Sequence, residues 1–304
     1  MATPESRGVV ELSVVVPSVN GWGDLEGCLA ALERQRAEVT LEVLVADRLG
    51  AAVTNRVRDR FPWVRVLSAP LSTTIPELRA QAFEAATGEA VAVIEDHVLV
   101  PPGWARAMLA RLALGEDVVG GAVENAATEK LVDWAAFLCE YSQLIPPLAV
   151  GPVPGITGNN TIYRRSVLRR HAAAWRAGRW ENYLHDAFKA EGVVLHQRPE
   201  IVVGHKKHYT VWEYLSQRYL YARSYAGARV AGQGVAKKLV YGGAAFLLPP
   251  LLFVRVVRTL WGKGRHRTEL MRSLPLLALF TSSWGVGEII GYWFGPGDAL
   301  AKVT

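Results

Sequence analysis

The sequence predicts an α/β fold, a mostly parallel sheet with helices on both faces, followed by C-terminal apolar helices. Three observations carry this expectation. Four short apolar runs alternate with stretches of helical spacing between Leu12 and Trp104, the pattern of βαβ units with right-handed crossovers. The strands end on polar residues. Farther on, the chain turns apolar for sixteen residues, Leu239 to Val254, and again from Leu274 to Val286, continuing past Glu288 to Phe294.

The first strand is Leu12 to Val16, closed by Pro17-Ser18-Val19-Asn20-Gly21, and Asp24 is placed to cap a helix reaching about Arg36. Leu41 to Ala46 is the second strand and ends at Asp47; Ala51 to Arg60 is a helix, Val64 to Leu67 the third strand, and Pro76 to Ala86 the next helix. The fourth strand lies in AVAVIEDHVLVPPGW, Ala90 to Trp104, whose apolar run stops at Glu95-Asp96-His97. On an extended chain Glu95 and His97 point the same way. A carboxylate oxygen and an imidazole nitrogen that converge suit Mn2+ or Mg2+, with histidine drawing the preference toward Mn2+. The alternative is a turn whose acidic residues cap the next segment.

Open α/β sheets bind ligands outside the carboxyl ends of their strands. Asn20, Asp47 and the Glu95 trio therefore share one edge, where a nucleotide fits, and Asp47 either accepts hydrogen bonds from base or ribose or simply closes a turn. Arg79, early in its helix, is suited to hold a phosphate by paired hydrogen bonds, or else it pairs with Glu77 or Glu84. Neither GxGxxG nor GxxxxGK[ST] occurs in this half, which argues against dinucleotide oxidoreductases and P-loop hydrolases.

The formal charge of +6 is uneven: His205 to Arg272 carries thirteen Lys or Arg against two Glu. That asymmetry favours an anionic neighbour, nucleic acid or phospholipid. Cys28 and Cys139, without CxxC spacing, offer neither a zinc site nor a disulfide framework and fit a reducing compartment. The start, MATPESRGVVEL, lacks the basic and apolar stretches of a secretory signal, so residues 1 to 204 are expected to stay where they are made.

With VVVPSVNG (Val14 to Gly21), EVLVADRLG (Glu42 to Gly50), IPELRAQAFEAATGEAVAVIEDHVLVPPGW (Ile75 to Trp104), VVGGAVEN (Val118 to Asn125) and TGNNTIYRRSVL (Thr157 to Leu168) in this order, the chain resembles the family 2 glycosyltransferases of GT-A, Rossmann-like fold, from about Val9 to Arg229. The resemblance implies that Pro17, Asn20 and Asp47 contact the nucleoside of a nucleotide-diphosphate sugar donor, that Arg79 helps to place the diphosphate, and that Asp96 reaches a ribose or sugar hydroxyl. Glu95-Asp96-His97 stands where the family usually has Asp-x-Asp; an acid-x-His variant is known, and with His205 it implies Glu95, His97 and His205 around one Mn2+ or Mg2+. His205 read alone equally fits a structural histidine at a strand end. Gly158, Asn159 and Asn160 stand on the acceptor side, with backbone freedom and amides for sugar hydroxyls, or as a well-made turn before a helix. Trp180 to Asp186 stands where the family usually has Glu-Asp-x-Asp. Because Asn182 replaces the basic Asp, the general base falls to Glu181, with Asp186 in reserve; the bland reading of Glu181 is a helix-start acid that complements the dipole. A single in-line displacement, inverting the anomeric centre, is what the family implies.

In the segment from His205 to Arg229, Tyr209, Trp212, Tyr214, Tyr219, Tyr221 and Tyr225 interleave with Lys and Arg, a mix suited to the lipid headgroup layer. The Gln-x-x-Arg-Trp of processive members is not matched by Gln217-Arg218-Tyr219, so long-polymer synthesis is not supported. RNA binding lacks an accompanying motif, and no nucleic-acid partner is expected. Pro249-Pro250 interrupts the first apolar stretch, and the basic loop from Trp261 to Ser273 belongs on the cytoplasmic side. These features predict a first stretch that is re-entrant or interfacial and attachment to the cytoplasmic face of the inner membrane; a soluble helical hairpin is the alternative. The expected organisation is a transferase domain over 1–204, a basic, aromatic interfacial segment over 205–238 and an apolar hairpin over 239–304. The expected activity is transfer of a sugar to a hydroxyl of a lipid-linked or other envelope glycan acceptor. A non-catalytic nucleotide-sugar-binding subunit is the competing reading, motivated by the His97 and Asn182 departures.

Overall fold

The computed structural model describes residues 9–304; the part of the N-terminal reading that concerns residues 1–8 lies outside them. Strand β1 (Leu12–Ser18) is buried along its whole length and turns at Gly21 into α1 (Trp22–Gln35). Gly21 is the N-cap, at φ 112° where a side chain is disfavoured, and Asp24 falls inside the first turn. Next come β2 (Leu41–Asp47), α2 (Ala51–Arg60), β3 (Arg65–Ser68) and α3 (Ile75–Ala85). Thr74 and Glu77 close a capping box around the start of α3, and Pro76 occupies its first turn.

After β4 (Ala90–Ile94) the chain leaves the extended conformation: Val98 N–H donates to the Glu95 carbonyl at 3.0 Å, closing a turn before β5 (Val98–Leu99). Then come α4 (Trp104–Ala113), β6 (Val118–Asn125), α5 (Leu131–Tyr141), β7 (Gly151–Pro152), β8 (Asn160–Arg164), α6 (Arg165–Arg170), α7 (Ala172–Arg176), α8 (Glu181–Ala190) and β9 (Leu195–His205). The last helices are α9 (Val211–Arg229), α10 (Val235–Ala244), α11 (Leu248–Lys263) and α12 (Arg267–Phe294).

The sheet runs β3-β2-β1-β4-β8-β6-β9-β5, with β7 beside β9. β3, β2, β1 and β4 are parallel, as their alternation with helices requires. β8 returns antiparallel to both β4 and β6, so the parallel character holds only for the N-terminal part. Val14, Val15, Val16, Val43, Leu44, Val45 and Val91 are fully buried, each contributing roughly 1.5–3 kcal/mol by removal from water.

Two compact units emerge. The first comprises the chain up to Ala122 with Leu148–Gly204, the second Val123–Pro147 with His205–Thr304. Val123–Pro147 groups with the C-terminal segment, and positions 205–238 and 239–304 share one body.

Within the second unit α9 and α12 run side by side in the same direction. Ser283 Oγ donates to the Leu215 carbonyl at 2.7 Å, Gly287 lies against the Tyr219 carbonyl, and a Cβ on Gly291 would meet the Arg223 carbonyl at 2.6 Å. Small residues every four positions let the two backbones approach. Gly285 likewise accommodates the Pro249 ring. Pro249 and Pro250 do break the first apolar stretch, but gently: a 3-10 turn at Ala245–Leu247 joins α10 to α11, and the prolines sit at the start of α11, where their missing N–H is tolerated. Part of the aromatic, basic mix turns inward rather than toward solvent. Arg218 is buried against Tyr214, Tyr221 and Trp284, 5.0–5.3 Å from the ring centres, and pairs with Glu140 at 3.2 Å.

Candidate active site

The turn after β4 brings the metal-type donors together by a route the extended-chain argument did not foresee. Glu95 Oε2 and His97 Nε2 lie 3.3 Å apart because the chain bends between them. Asn159, on the segment entering β8, donates from Nδ2 to Glu95 Oε2 at 3.1 Å and fixes that carboxylate. Burial disfavours a charged His97, but the hydrogen bonds and negative charge of Asp96 and Glu95 outweigh it and lift the ring to about 9. A cation bound there would have to displace that proton. A carboxylate oxygen and an imidazole nitrogen this close are a donor pair of the kind that binds divalent metal ions. His205 lies in the second unit, its ring centre 4.6 Å from that of Tyr141.

Asp96 does not reach toward a donor hydroxyl as expected. It is 1% exposed, with Oδ2 accepting from Val19 N–H at 2.8 Å and Asn20 N–H at 2.9 Å, and Oδ1 from Asn20 Nδ2 at 2.7 Å; His97 Nδ1 is 3.0 Å from Oδ1. Its work is to hold the loop after β1 against the turn after β4. Asp47 is likewise fully buried. It accepts from Ser18 Oγ at 2.9 Å, Gly50 N–H at 2.9 Å and Thr54 Oγ1 at 3.2 Å, which is the turn role rather than contact with a base. Pro17 is a buried β1 residue opposite Ala46.

Arg79 has a partner that its own helix could not reveal. The guanidinium is buried, Nη1 donates to Glu181 Oε2 at 2.8 Å, and Nη2 lies 3.9 Å from Glu95 Oε1. One cation thus joins the expected ligand carboxylate to the expected base. Glu181 opens α8, and its side chain passes so close to Gly158 that a Cβ there would sit 2.5 Å from Glu181 Cδ. Beneath it Tyr163 Oη shares a 3.0 Å hydrogen bond with His185 Nε2. Burial is the main cause holding His185 down at about 4, so the ring is neutral. Asp186, the reserve base, does not join this group: it is exposed and pairs with Lys189 at 2.8 Å. Five residues beyond Glu181 on a helix, it faces elsewhere.

The three acceptor candidates separate. Gly158 makes room for Glu181, and Asn159 positions Glu95. Asn160 is fully buried, accepting from Trp104 Nε1 at 3.0 Å and donating to the Ala122 and Ile201 carbonyls at 2.9 Å each. Its amide ties the sheet together, so a sugar-binding role is withdrawn for Asn160.

The turn after the parallel strand β4 thus delivers a carboxylate and a histidine to one edge of the sheet, and a buried arginine brings a second carboxylate alongside. Residues 13–172, more than half of the chain, match the model of glycosyl transferase family 2. The chain belongs to this family and is a glycosyltransferase. Among solved structures it is similar in fold to one titled as the crystal structure of S. aureus TarS 1-349, at 14% identity and a TM-score of 0.51, with 92% of this chain and 91% of that chain covered. The search of curated protein sequences gave no match.

Proposed function

We propose that the enzyme is a metal-dependent, inverting, membrane-attached glycosyltransferase that moves a sugar from a nucleotide-diphosphate donor to a hydroxyl of a lipid-linked or envelope glycan. The observation that carries the reading is the line Glu95–Arg79–Glu181, with His97 3.3 Å from Glu95. Glu95 and His97 would hold Mn2+ or Mg2+, with His205 the third ligand that the sequence resemblance implies. When bound there, such a cation would supply positive charge for a departing diphosphate. Glu181 takes the proton of the acceptor hydroxyl on Oε1, because Oε2 is engaged by Arg79. Arg79 acts here as a positioning residue that keeps the carboxylate aimed, and its charge adds to the field at the diphosphate. Pro17 and Asn20 border the nucleoside. The basic C-terminal segment and its two apolar helices, Val235–Lys263 and Arg267–Phe294, support attachment to the cytoplasmic face of a membrane, with phospholipid as partner.

The test combines Mn2+ titration calorimetry with release of nucleoside diphosphate from a panel of nucleotide sugars. Glu95→Ala is expected to lose both metal binding and turnover, whereas Glu181→Gln retains metal and loses turnover by at least 10²-fold. Full turnover in Glu181→Gln removes it as the base. Wild-type donor binding with no turnover would favour the binding-subunit reading.

A further inference from the structure

We propose that the second unit is a one-sided membrane module: it sinks the outward faces of α10, α11 and α12 into a leaflet of anionic phospholipid without crossing the bilayer. The inference rests on the attachment reading above and adds the mode of attachment. Its first support is where the apolar surface lies. On α10, α11 and the turn joining them, Leu239, Val240, Phe246, Leu247, Leu251 and Val254 are all more than half exposed, and no charged residue interrupts Leu239 to Val254. On α12 the exposed apolar side chains Leu279, Val286 and Trp293 recur every seven residues, which is one stripe of a helix. The opposite side of α12, with Gly287 and Gly291, is covered by α9. One side is apolar and open; the other is packed.

The second support is charge. No acidic residue lies between Glu213 and Glu269, while Lys237 and Lys238 precede the apolar run and Arg255 and Arg258 come after it. Cations bracketing an apolar face suit anionic headgroups, with their stems lying along the acyl boundary.

The third support decides between crossing and one-sided insertion. The connection between α11 and α12 is tied to the other segment of the same unit. Arg265 Nη1 pairs with Glu124 Oε1 at 2.5 Å and His266 Nε2 with Glu124 Oε2 at 3.2 Å, while the His266 ring lies 4.9 Å from that of Trp134. Lys263 Nζ donates to the carbonyls of Gln143 and Ile145. At the other end of α12, Arg223 Nε donates to the Gly295 carbonyl at 3.2 Å and Thr304 N–H donates to Gln217 Oε1 at 2.9 Å. A crossing hairpin would carry the connection across the bilayer, away from Glu124 in β6. The start of α12 is tied to the Val123–Pro147 segment and its end to α9, all within one unit, which argues for insertion from one side.

The experiment uses the full chain in sealed inside-out bacterial inner-membrane vesicles, with Gln233→Cys before α10 or Thr268→Cys at the start of α12. Both positions are exposed, and the native Cys28 and Cys139 are buried. The expected result is that the protein sediments with the vesicles and both cysteines react fully with a membrane-impermeant maleimide before detergent is added. Reaction of either one only after detergent would overturn the one-sided mode while sparing attachment. Protein left in the supernatant would overturn attachment itself. In a second arm, Lys237→Ala/Lys238→Ala is expected to lower partitioning onto phosphatidylglycerol-containing vesicles by about tenfold or more and to leave weak binding to pure phosphatidylcholine unchanged. A chain that is dimeric without detergent and ignores both vesicle types would show that a second copy covers this face, refuting the proposal.

Discussion

Replacing Gly158 by alanine tests the site at its tightest point. The new Cβ would lie 2.5 Å from Glu181 Cδ and 2.6 Å from Oε1, about 1 Å inside ordinary carbon contact. The carboxylate must retreat by that amount, stretching the 2.8 Å bond from Arg79 Nη1 beyond hydrogen-bonding reach. A misplacement of about 1 Å in a reacting group costs on the order of 10²-fold in rate, or about 2.7 kcal/mol of barrier. The ion pair is stretched rather than deleted and Glu181 is partly exposed, so the loss of stability is on the order of 1 kcal/mol. Single-turnover release of nucleoside diphosphate, with whichever donor the wild type turns over, measures the first quantity and urea unfolding the second. Gly155→Ala is the control, since a Cβ there meets nothing within 4 Å. If Gly158→Ala turned over within threefold of the wild type, the assignment of Glu181 as base would be refuted.

The same geometry fixes three further outcomes. Asn160→Ala strands two buried carbonyls and the Trp104 indole N–H, so urea unfolding is expected to show a loss of about 3–5 kcal/mol; a loss below about 1 kcal/mol would contradict the structural assignment. His185 is held down at about 4 by burial, against an ordinary 6.5. The unfolded chain therefore binds the proton first, and the contribution of this residue is complete above about pH 6.5, declines as the pH falls toward 4, and totals roughly 3 kcal/mol. His185→Gln should flatten the pH dependence of the unfolding midpoint in that window, and an unchanged slope would exclude the residue as its source. Gly291→Val drives a side chain into the Arg223 carbonyl and Ala226 and should separate α12 from α9, seen as protease sensitivity of the C-terminal helices with metal binding intact.

The four parallel strands were readable from the sequence because each apolar run was bounded by turn residues and succeeded by a helix-spaced stretch. The hidden part was long-range. Nothing local marks β8 as antiparallel, since direction is settled by where the chain returns. Glu95 and His97 were identified as a pair, though the bend between them, not an extended strand, makes them meet. Residue type alone could not distinguish a carboxylate facing a ligand from one satisfied internally: Asp47 and Asp96 have donor-site positions in sequence, yet both are enclosed by backbone N–H groups and polar side chains. The Arg79–Glu181 pair spans 102 residues, beyond the reach of any helix-spacing argument. The only hint was a buried-type position for Arg79, between Leu78 and the apolar Ala82 and Phe83 of the same helix.

The Asp96 clamp has a mechanical consequence. Because one of its oxygens grips the main chain at both Val19 and Asn20, the segments after the first and fourth strands are locked into a single stiff block. A hinge at this corner would first have to break both of those hydrogen bonds. Whatever motion admits the donor and releases the spent nucleotide has to be carried by other parts of the rim, while this corner serves as the fixed anvil against which they close.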